Sequence, residues 1–275
     1  MVDDGVAYHR RFQPEALVIR HAGRIAHESY DGGFTADRPH PLFSGTKSFW
    51  GVAALHAQAE GLLSLDEHVA DTDGEWKRDP WKKRVTLRDL LMLVAGIPFG
   101  GLGSAVPEYE KALATGLRNE PGTTFTYGGI PLQVFGAVFA RKLAAQKLTP
   151  HAYLHQRILD PAGIEIAKWR TLKDGTSPLP TGAFMTARSW LTYGDYVLAN
   201  RERYAECFIG SSANPRYGLC WWLATPGAPQ DLFYASGSGG QALYVIPSLK
   251  LTAVRFAKGG SFNHAVFIKR LVAGL

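Results

Sequence analysis

Short runs of hydrophobic, β-prone residues lie near both ends of the chain. Residues 16–20 and 25–30 flank a turn that contains Gly23, and this pattern predicts a β-hairpin. Three further strand-like runs lie near the C-terminus: 217–224, 241–246 and 250–257. We therefore expect β-structure at the two ends of the chain.

The middle of the chain has a helical period instead. After Ser44, apolar residues recur at helical spacing through Leu55, and Gly61 is suited to end the helix. The many Ala, Phe and Trp residues predict that this helix is buried on several sides. Four more helices are expected: one that begins at Leu87 after Thr86, one over 130–145, one over 186–199 after Thr186 and an amphipathic one over 263–275.

This order of elements predicts an α+β fold. One antiparallel sheet would be built from both termini and flanked by helices, with a helical region inserted between its two halves. We expect a discontinuous α/β domain over residues 1–61 and 215–275 and an inserted helical domain over residues 62–214. An active site in such a fold would lie in the cleft between the two parts, where small-molecule sites often occur.

Composition indicates an ordered globular protein. The chain has 275 residues, of which 46% are hydrophobic and 20% are charged, so long disorder is not expected. The net charge of +6 includes a basic run over 77–84, which we interpret as a solvated surface loop because no nucleic-acid-binding motif accompanies it. We therefore expect no nucleic-acid partner, although a mildly basic surface would favour anionic substrates.

The sequence also provides expectations about disulfide bonds and cellular location. Cys207 and Cys220 are too few for a disulfide framework, and whether they pair is left open. No apolar run is long enough to span a bilayer, so no membrane partner is expected. The N-terminus shows no secretory signal, which predicts a cytoplasmic protein, although a mature secreted form recloned without its signal would look the same. The sequence does not indicate an oligomeric state.

Ser44 and Lys47 have the S-x-x-K spacing of an activated serine. A serine hydroxyl is a poor nucleophile unless a base removes its proton. A lysine three residues later on a helix can reach that hydroxyl, and burial lowers the pKa of the lysine. The sequence holds this spacing once, at the start of its most apolar helix. The alternative is a helix cap beside an ordinary lysine, but the apolar context favours catalysis.

Two further elements add to this candidate site. Tyr127, within PGTTFTYGG, would shuttle protons if it lay beside the lysine, and would otherwise be a core aromatic residue. The glycines around Ser238, within ASGSGGQ, allow the backbone to come close to a substrate. An N–H group at this strand edge could then form one arm of an oxyanion hole.

Three competing signals are weaker. Residues 237–242 fit a dinucleotide-binding fingerprint, but a strand follows them where that fingerprint requires a helix. No G-x-S-x-G motif occurs, which argues against an α/β-hydrolase. His151 and His155 have the spacing of metal ligands but lack the glutamate of H-E-x-x-H, so we interpret them as a helix face. No metal and no cofactor are expected.

Together these elements resemble those of the serine β-lactamase-like superfamily, which includes penicillin-binding proteins, class C β-lactamases and related esterases and amide hydrolases. The resemblance covers nearly the whole chain and is carried by these segments: FSGTKSFWG, AEGLLSLDEHV, VTLRDLLMLVAGI, PGTTFTYGG, GAFMTARSWLTYG, YGLCWW and SGSGGQALYVIPSLKLTAV. The chain looks most like the branch of class VIII-type esterases and 6-aminohexanoate-oligomer hydrolases. The resemblance implies a β-lactamase/transpeptidase-like fold.

The resemblance also implies a role for each matching residue. Ser44 would be the acylated nucleophile, and Lys47 would either deprotonate it or keep Tyr127 ionised. Tyr127 would pass a proton to the leaving group and later activate water. The backbone N–H groups of Ser44 and Ser238 would bind the oxyanion. Three positions would contact the substrate: Ser236, Gly237 and Gly129.

Two positions depart from the family pattern. Gly129 stands where relatives usually have Asn, and Ala235 stands where they have the Lys or His that opens the third motif. Both positions serve β-lactam or peptide recognition in relatives. We therefore predict a serine hydrolase that acts on carboxylic esters or small amides through a Ser-Lys-Tyr acyl-enzyme mechanism. The alternatives are a β-lactamase or DD-peptidase of the same fold, and a non-catalytic sensor or binding module that is acylated once.

Overall fold

The structure, a computed structural model, describes residues 2–275. Helices lie on both faces of a sheet whose strands come from the two ends of the chain. The α-helices are α1 (Asp3–Arg10), α2 (Ser48–Ala59), α3 (Val69–Thr72), α4 (Leu87–Leu91), α5 (Tyr109–Leu113), α6 (Ile130–Leu143), α7 (Pro150–Leu154), α8 (Ala187–Ala199) and α9 (His264–Val272). The strands are β1 (Pro14–His21), β2 (Arg24–Tyr30), β3 (His40–Pro41), β4 (Lys168–Trp169), β5 (Ala183–Met185), β6 (Trp222–Leu223), β7 (Phe233–Gly237), β8 (Gln241–Ile246) and β9 (Leu251–Ala257).

The main sheet joins the two ends of the chain, as the sequence predicts. Its order is β2-β1-β9-β8-β7-β6, and all its neighbouring strands are antiparallel. The β1–β2 hairpin turns at Ala22 and Gly23, whose φ angles of 48° and 81° suit a tight primed turn. The predicted α+β fold with a sheet built from both termini is confirmed.

Both faces of the sheet are buried. In β1, Ala16 and Val18 face a large core shared with the middle of the chain, whereas Leu17 and Ile19 face a second core. Neighbouring side chains on a strand point to opposite faces, and both faces of β1 are buried. Its buried residues are therefore apolar at consecutive positions rather than at alternate ones. Helices α1 and α9 pack together over the second core, and α8 packs on the opposite side against β8 and β9.

The predicted helices are present at their predicted places. Thr86 and Thr186 cap α4 and α8, each accepting a hydrogen bond from a backbone N–H three residues later. The helix after Ser44 begins with a 3-10 turn over Phe43–Lys47 before α2, and Ser48 to Ala57 are all buried. Gly61 follows α2 with a φ of 71°, the left-handed conformation that ends a helix.

One predicted strand is mostly wrong. Only Trp222–Leu223 of the run 217–224 is a strand, and an isolated bridge joins Tyr217 to Trp222. The chain reverses at Cys220, whose φ is 66° and whose N–H donates to the Leu91 carbonyl at 3.0 Å. A helix at Asp3–Arg10 and a small sheet of order β3-β5-β4 were not predicted. The strands of this sheet have only two or three residues, too few for a periodic signal.

Other sequence expectations meet the structure as follows. Cys207 and Cys220 are buried and not bonded to each other. No helix among residues 2–275 has the length and hydropathy that crossing a membrane requires. Helix α8 lies inside the predicted inserted region although it packs on the sheet. The domain boundaries at 61/62 and 214/215 stay a prediction.

Candidate active site

Ser44 lies on a tightly held turn between β3 and α2. The preceding residue, Phe43, has a φ of 49°, which is unusual for a residue with a side chain and marks a sharp bend. Gly45 follows, and a Cβ atom there would lie 2.8 Å from the Trp190 ring, so only glycine fits. The Gly45 N–H donates to the Leu42 carbonyl at 2.9 Å. The turn therefore has little freedom to move Ser44.

Lys47 contacts the Ser44 hydroxyl from one helical turn away. Its Nζ lies 3.0 Å from Ser44 Oγ and 3.3 Å from the Pro180 carbonyl oxygen. The residue is only 1% exposed, and among residues 2–275 no carboxylate forms an ion pair with it. Burial lowers the pKa of Lys47 to about 7, because an ammonium group loses its hydration there. Near neutral pH a large share of Lys47 is thus the free amine, which can accept a proton.

The ring of Tyr127 packs against Lys47. The Lys47 Nζ lies 4.8 Å from the centre of the Tyr127 ring, which also stacks on Trp222 at 5.6 Å. Burial raises the pKa of Tyr127 to about 12, and a hydrogen bond with Ser44 only partly opposes that rise. Tyr127 therefore carries its proton at neutral pH. The structure brings together the three predicted residues Ser44, Lys47 and Tyr127.

The end of β7 closes the site from the opposite side. A Cβ atom at Gly237 would lie 2.1 Å from the Leu42 carbonyl oxygen, so only a glycine allows β7 to approach the turn that carries Ser44. Two side-chain hydrogen bonds hold the loop over Ser238–Gly240 in place. Gln241 Nε2 donates to the Ser238 carbonyl at 3.2 Å, and Arg255 Nη1 donates to the Gly240 carbonyl at 2.6 Å.

Ser44 opens onto a cleft with two compartments. The larger compartment, of about 410 Å³, is lined by Ser44, Leu102, Tyr127, Trp222, Tyr234, Ser236, Gly237, Ser238 and His264. The smaller compartment, of about 280 Å³, is lined by Phe43, Ser44, Gly101, Leu102, Gly103, Pro180, Thr181 and Ser238. Ser44, Leu102 and Ser238 belong to both, so the two compartments meet at the serine. A bigger cavity of about 630 Å³ between Asp73 and Gly116 contains none of the predicted residues.

Gly129 differs from the other predicted substrate-contacting positions. Ser236 and Gly237 line the larger compartment, whereas Gly129 lines neither. A Cβ atom at Gly129 would lie 1.9 Å from the Gly101 carbonyl oxygen and 2.9 Å from Pro180 Cγ. The loop that carries Gly101 thus fills the space in which a side chain at position 129 would have to lie.

Several cleft residues were not predicted from the sequence, and Leu102 and His264 are two of them. Leu102 lies between glycines 100, 101 and 103, all with positive φ, and that glycine run is a loop signal that could have drawn attention to it. His264 is the first residue of α9 and enters the cleft only because the C-terminal helix packs beside β7 and β8. No local pattern distinguishes His264 from a surface histidine.

The sequence matches the model of a known protein family. The family model described as Beta-lactamase matches residues 8–273, which is nearly the whole chain. No curated protein sequence matches the chain.

Several solved structures have the same fold. A D-stereospecific amidohydrolase from Streptomyces sp. is 15% identical with a TM-score of 0.79, covering 100% of this chain and 99% of that one. A class C beta lactamase from Rhodobacter sphaeroides is 18% identical with a TM-score of 0.75, covering 99% of each chain. A Bacillus anthracis protein, proposed to be a 6-aminohexanoate-dimer hydrolase, is 20% identical with a TM-score of 0.77, covering 94% and 76%. At these identities the likeness shows the fold.

The buried amine of Lys47 should lower the stability of the fold. We expect Lys47→Met to be more stable than the wild type in urea denaturation at pH 7, because Met fills a similar volume without a desolvated amine. The folded-state pKa of about 7 lies below the usual value of 10.5, so the unfolded chain binds more protons between these values. Wild-type stability therefore rises with pH in this window, and the gap to Lys47→Met should shrink towards pH 10.

The matched control is Lys168→Met, which removes an exposed lysine. It should change stability by no more than about 0.5 kcal/mol at either pH. If Lys47→Met were less stable than the wild type at pH 7, Lys47 would stabilise the fold rather than destabilise it.

Proposed function

The chain belongs to the Beta-lactamase family, and we propose that it is a serine hydrolase that cleaves carboxylic esters or small amides through an acyl-enzyme on Ser44. The observation that carries the proposal is the 3.0 Å contact between the Ser44 hydroxyl and the buried amine of Lys47, at the floor of an open cleft. A surface lysine would be protonated and could not act as a base.

Acylation would begin with attack of Ser44 Oγ on the substrate carbonyl carbon. The hydroxyl proton moves to Lys47 Nζ, and the carbonyl π bond opens to give an oxyanion. The backbone N–H groups of Ser44 and Ser238 would bind that oxyanion. As the oxyanion collapses, the bond to the leaving group breaks, and the leaving oxygen or nitrogen takes the phenolic proton of Tyr127. Lys47 then returns its proton to Tyr127.

Deacylation would use the same groups in reverse order. A water molecule enters the position that the leaving group has vacated. As its oxygen attacks the acyl carbon, one of its protons passes to Tyr127, which gives its own phenolic proton to Lys47. The second tetrahedral intermediate collapses with return of the proton to Ser44 Oγ, which releases the carboxylic acid. Each group ends in the state in which it began, so the cycle balances.

The electrostatics of the site favour Lys47 as the acylation base. The pKa of Lys47 is lowered to about 7, whereas the pKa of Tyr127 is raised to about 12. Transfer of the Tyr127 proton to Lys47 would place two charges in a region where burial penalises both. The neutral pair is therefore the favoured resting state above pH 7, with the amine ready to accept the serine proton.

The surroundings of Ser44 favour simple esters and amides over β-lactams. Ala235, which is buried in β7, offers neither charge nor hydrogen bond to the carboxylate of such an antibiotic. The backbone of Gly101 occupies the place of any side chain at Gly129. The proposed nucleophile and base lie together at the cleft, while two groups that hold β-lactams in relatives are absent.

The nucleophile can be tested by covalent labelling. A fluorophosphonate probe should add its mass to the peptide that contains Ser44, since phosphonylation needs only an activated serine. Ser44→Ala should abolish the label, and Ser104→Ala, which removes an exposed hydroxyl near the cleft, should leave it intact. Intact-protein mass spectrometry gives the stoichiometry. Labelling that persists in Ser44→Ala would overturn the assignment.

The base can be tested by pH dependence and by Tyr127→Phe. We expect kcat/KM to rise with pH around a midpoint near 7, falling about tenfold per unit below it, because only the free amine of Lys47 accepts a proton. Tyr127→Phe should slow hydrolysis of ethyl butyrate by ~10²–10⁴-fold. It should affect the pre-steady-state burst with p-nitrophenyl butyrate much less, since p-nitrophenolate leaves without a proton.

The control is Tyr217→Phe, whose ring packs edge-on to Tyr127 and which should behave like the wild type. Equal loss of ethyl butyrate hydrolysis and of the p-nitrophenyl burst in Tyr127→Phe would instead make Tyr127 the acylation base.

Substrate class can be tested on one enzyme preparation. We expect a higher kcat/KM for p-nitrophenyl butyrate than for nitrocefin, because the ester needs mainly the nucleophile and the oxyanion donors. An advantage for nitrocefin would restore a β-lactamase function. One stoichiometric burst with no further turnover on any ester or amide would indicate a sensor rather than an enzyme.

A further inference from the structure

We propose that Gln241 and Arg255 are positioning residues for the reaction, because together they hold the Ser238–Gly240 loop and thereby keep the backbone N–H of Ser238 in place beside Ser44. The inference rests on the proposed function, since it takes the Ser238 N–H as one of the two groups that bind the oxyanion. Neither Gln241 nor Arg255 lines the cleft, so their effect on the reaction passes through the backbone of the loop.

The loop has little stiffness of its own. Gly239 and Gly240 follow Ser238 directly and have φ angles of 78° and 77°, a region that glycine enters freely. Two consecutive glycines give a backbone many alternative conformations. A hydrogen-bond donor in an active site must instead keep its position to within about 0.5 Å. The loop therefore needs contacts with other segments to stay in place.

Gln241 makes the first of these contacts. It is 1% exposed, and its side-chain amide pairs with the last residue of β9. Nε2 donates to the Ala257 carbonyl at 2.7 Å, and Oε1 accepts from the Ala257 N–H at 2.9 Å. Nε2 also donates to the Ser238 carbonyl at 3.2 Å, so both amide hydrogens are used. The carbonyl of Ser238 is thus fixed to the end of β9.

Arg255 makes the second contact, from a fully buried position in β9. Nη1 donates to the Gly240 carbonyl at 2.6 Å, and Nη2 donates to the carbonyl of Phe12, just before β1, at 3.0 Å. The guanidinium carbon lies 3.6 Å from the centre of the Phe262 ring. Among residues 2–275 no carboxylate forms an ion pair with Arg255. A buried cation without such a partner costs stability, which favours a role other than stabilising the fold.

The two glycines are the residues that allow these contacts. A Cβ atom at Gly239 would lie 2.9 Å from Gln241 Nε2, and one at Gly240 would lie 2.5 Å from Arg255 Nη1. A side chain at either position would displace the donor that holds the loop. The absence of side chains therefore makes the loop free to move and also lets two buried donors remove that freedom.

Ser238 is held on its other side by the turn that carries Ser44. Gly237 packs against the Leu42 carbonyl oxygen, at a distance that excludes a Cβ atom. The Ser238 N–H thus lies between one fixed contact at Gly237 and the two side-chain contacts that follow it. Loss of either side-chain contact would free the loop on one side only.

The experiment compares p-nitrophenyl butyrate with its thiono ester, in which a C=S group replaces the carbonyl. Attack on the thiono ester gives C–S⁻, and sulfur is a weak hydrogen-bond acceptor that gains little from the oxyanion donors. Each kcat/KM is divided by the rate of hydroxide-catalysed hydrolysis of the same ester. The quotient of the two normalised values, oxo over thiono, is the oxyanion selectivity. Unfolded enzyme cancels from this quotient, so a merely structural role would not change it.

We expect Gln241→Met and Arg255→Met each to lower the oxyanion selectivity by about 10-fold or more. The loss should lie mainly in kcat for the oxo ester, since the oxyanion exists only after attack. Complete loss of one oxyanion donor costs ~10²–10³ in kcat, which sets the upper limit. Arg255→Lys, which can still donate to the Gly240 carbonyl, should retain part of the selectivity.

The matched control is Gln133→Met. Gln133 is also fully buried, and its amide also joins two backbone segments, with Nε2 donating to the Pro107 carbonyl and Oε1 accepting from the Leu179 N–H. Its variant should have the selectivity of the wild type, whatever its stability. A wild-type selectivity near 1, an unchanged selectivity in either Gln241→Met or Arg255→Met, or an equal fall in Gln133→Met would overturn the inference.

Fluorophosphonate labelling of Ser44 in every variant separates the two proposals. If the wild type is not labelled, the serine hydrolase proposal fails. If Ser44 is labelled in the wild type and the variants while the oxyanion selectivity does not respond to the substitutions, only the positioning role of Gln241 and Arg255 fails.

Discussion

The structure of the site depends on one unfavourable condition, a buried lysine amine that has no carboxylate partner among residues 2–275. Lys47 is 1% exposed, and its neighbours are a hydroxyl, a carbonyl oxygen and an aromatic ring. A carboxylate in that place would raise the pKa of Lys47 and hold its proton. The proposed base thus depends on keeping water and negative charge away, which requires helix α2 to be enclosed by core on all sides.

Close backbone approaches maintain this enclosure. Gly45 lies against Trp190, Gly237 against the Leu42 carbonyl and Gly129 against the Gly101 carbonyl, each at a distance that excludes a Cβ atom. These contacts bring the serine turn, the end of β7 and the Tyr127 loop together around one point. The same contacts leave no room for some recognition groups, as the position of Gly129 shows. The close approaches that bring the proposed catalytic residues together therefore also exclude any side chain at position 129.

Much of the fold could be predicted from the sequence because its signals are local. The β1–β2 hairpin, the caps at Thr86 and Thr186, and the pairing of the two chain ends follow from periodicity and turn residues. The contact between Ser44 and Lys47 could also be predicted, since one helical turn fixes their separation. The strand predicted over 217–224 was mostly wrong because Cys220 adopts a left-handed conformation. The apolar residues around Cys220 do not indicate that conformation.

The residues that line the rest of the cleft are of a different kind. His264 lies 220 residues after Ser44 in the chain, and its contacts with Ser236 and Tyr244 exist only once α9 has packed beside the sheet. Leu102 reaches the serine through a glycine-rich loop whose path is set by Gly128 and Gly129 behind it. The proposed nucleophile and base can therefore be predicted from a short motif, whereas the walls of the cleft are formed by tertiary contacts that no single segment contains. It follows that chains sharing the S-x-x-K turn can differ in substrate without any change near the nucleophile, because the walls of the cleft come from elements far away in the sequence.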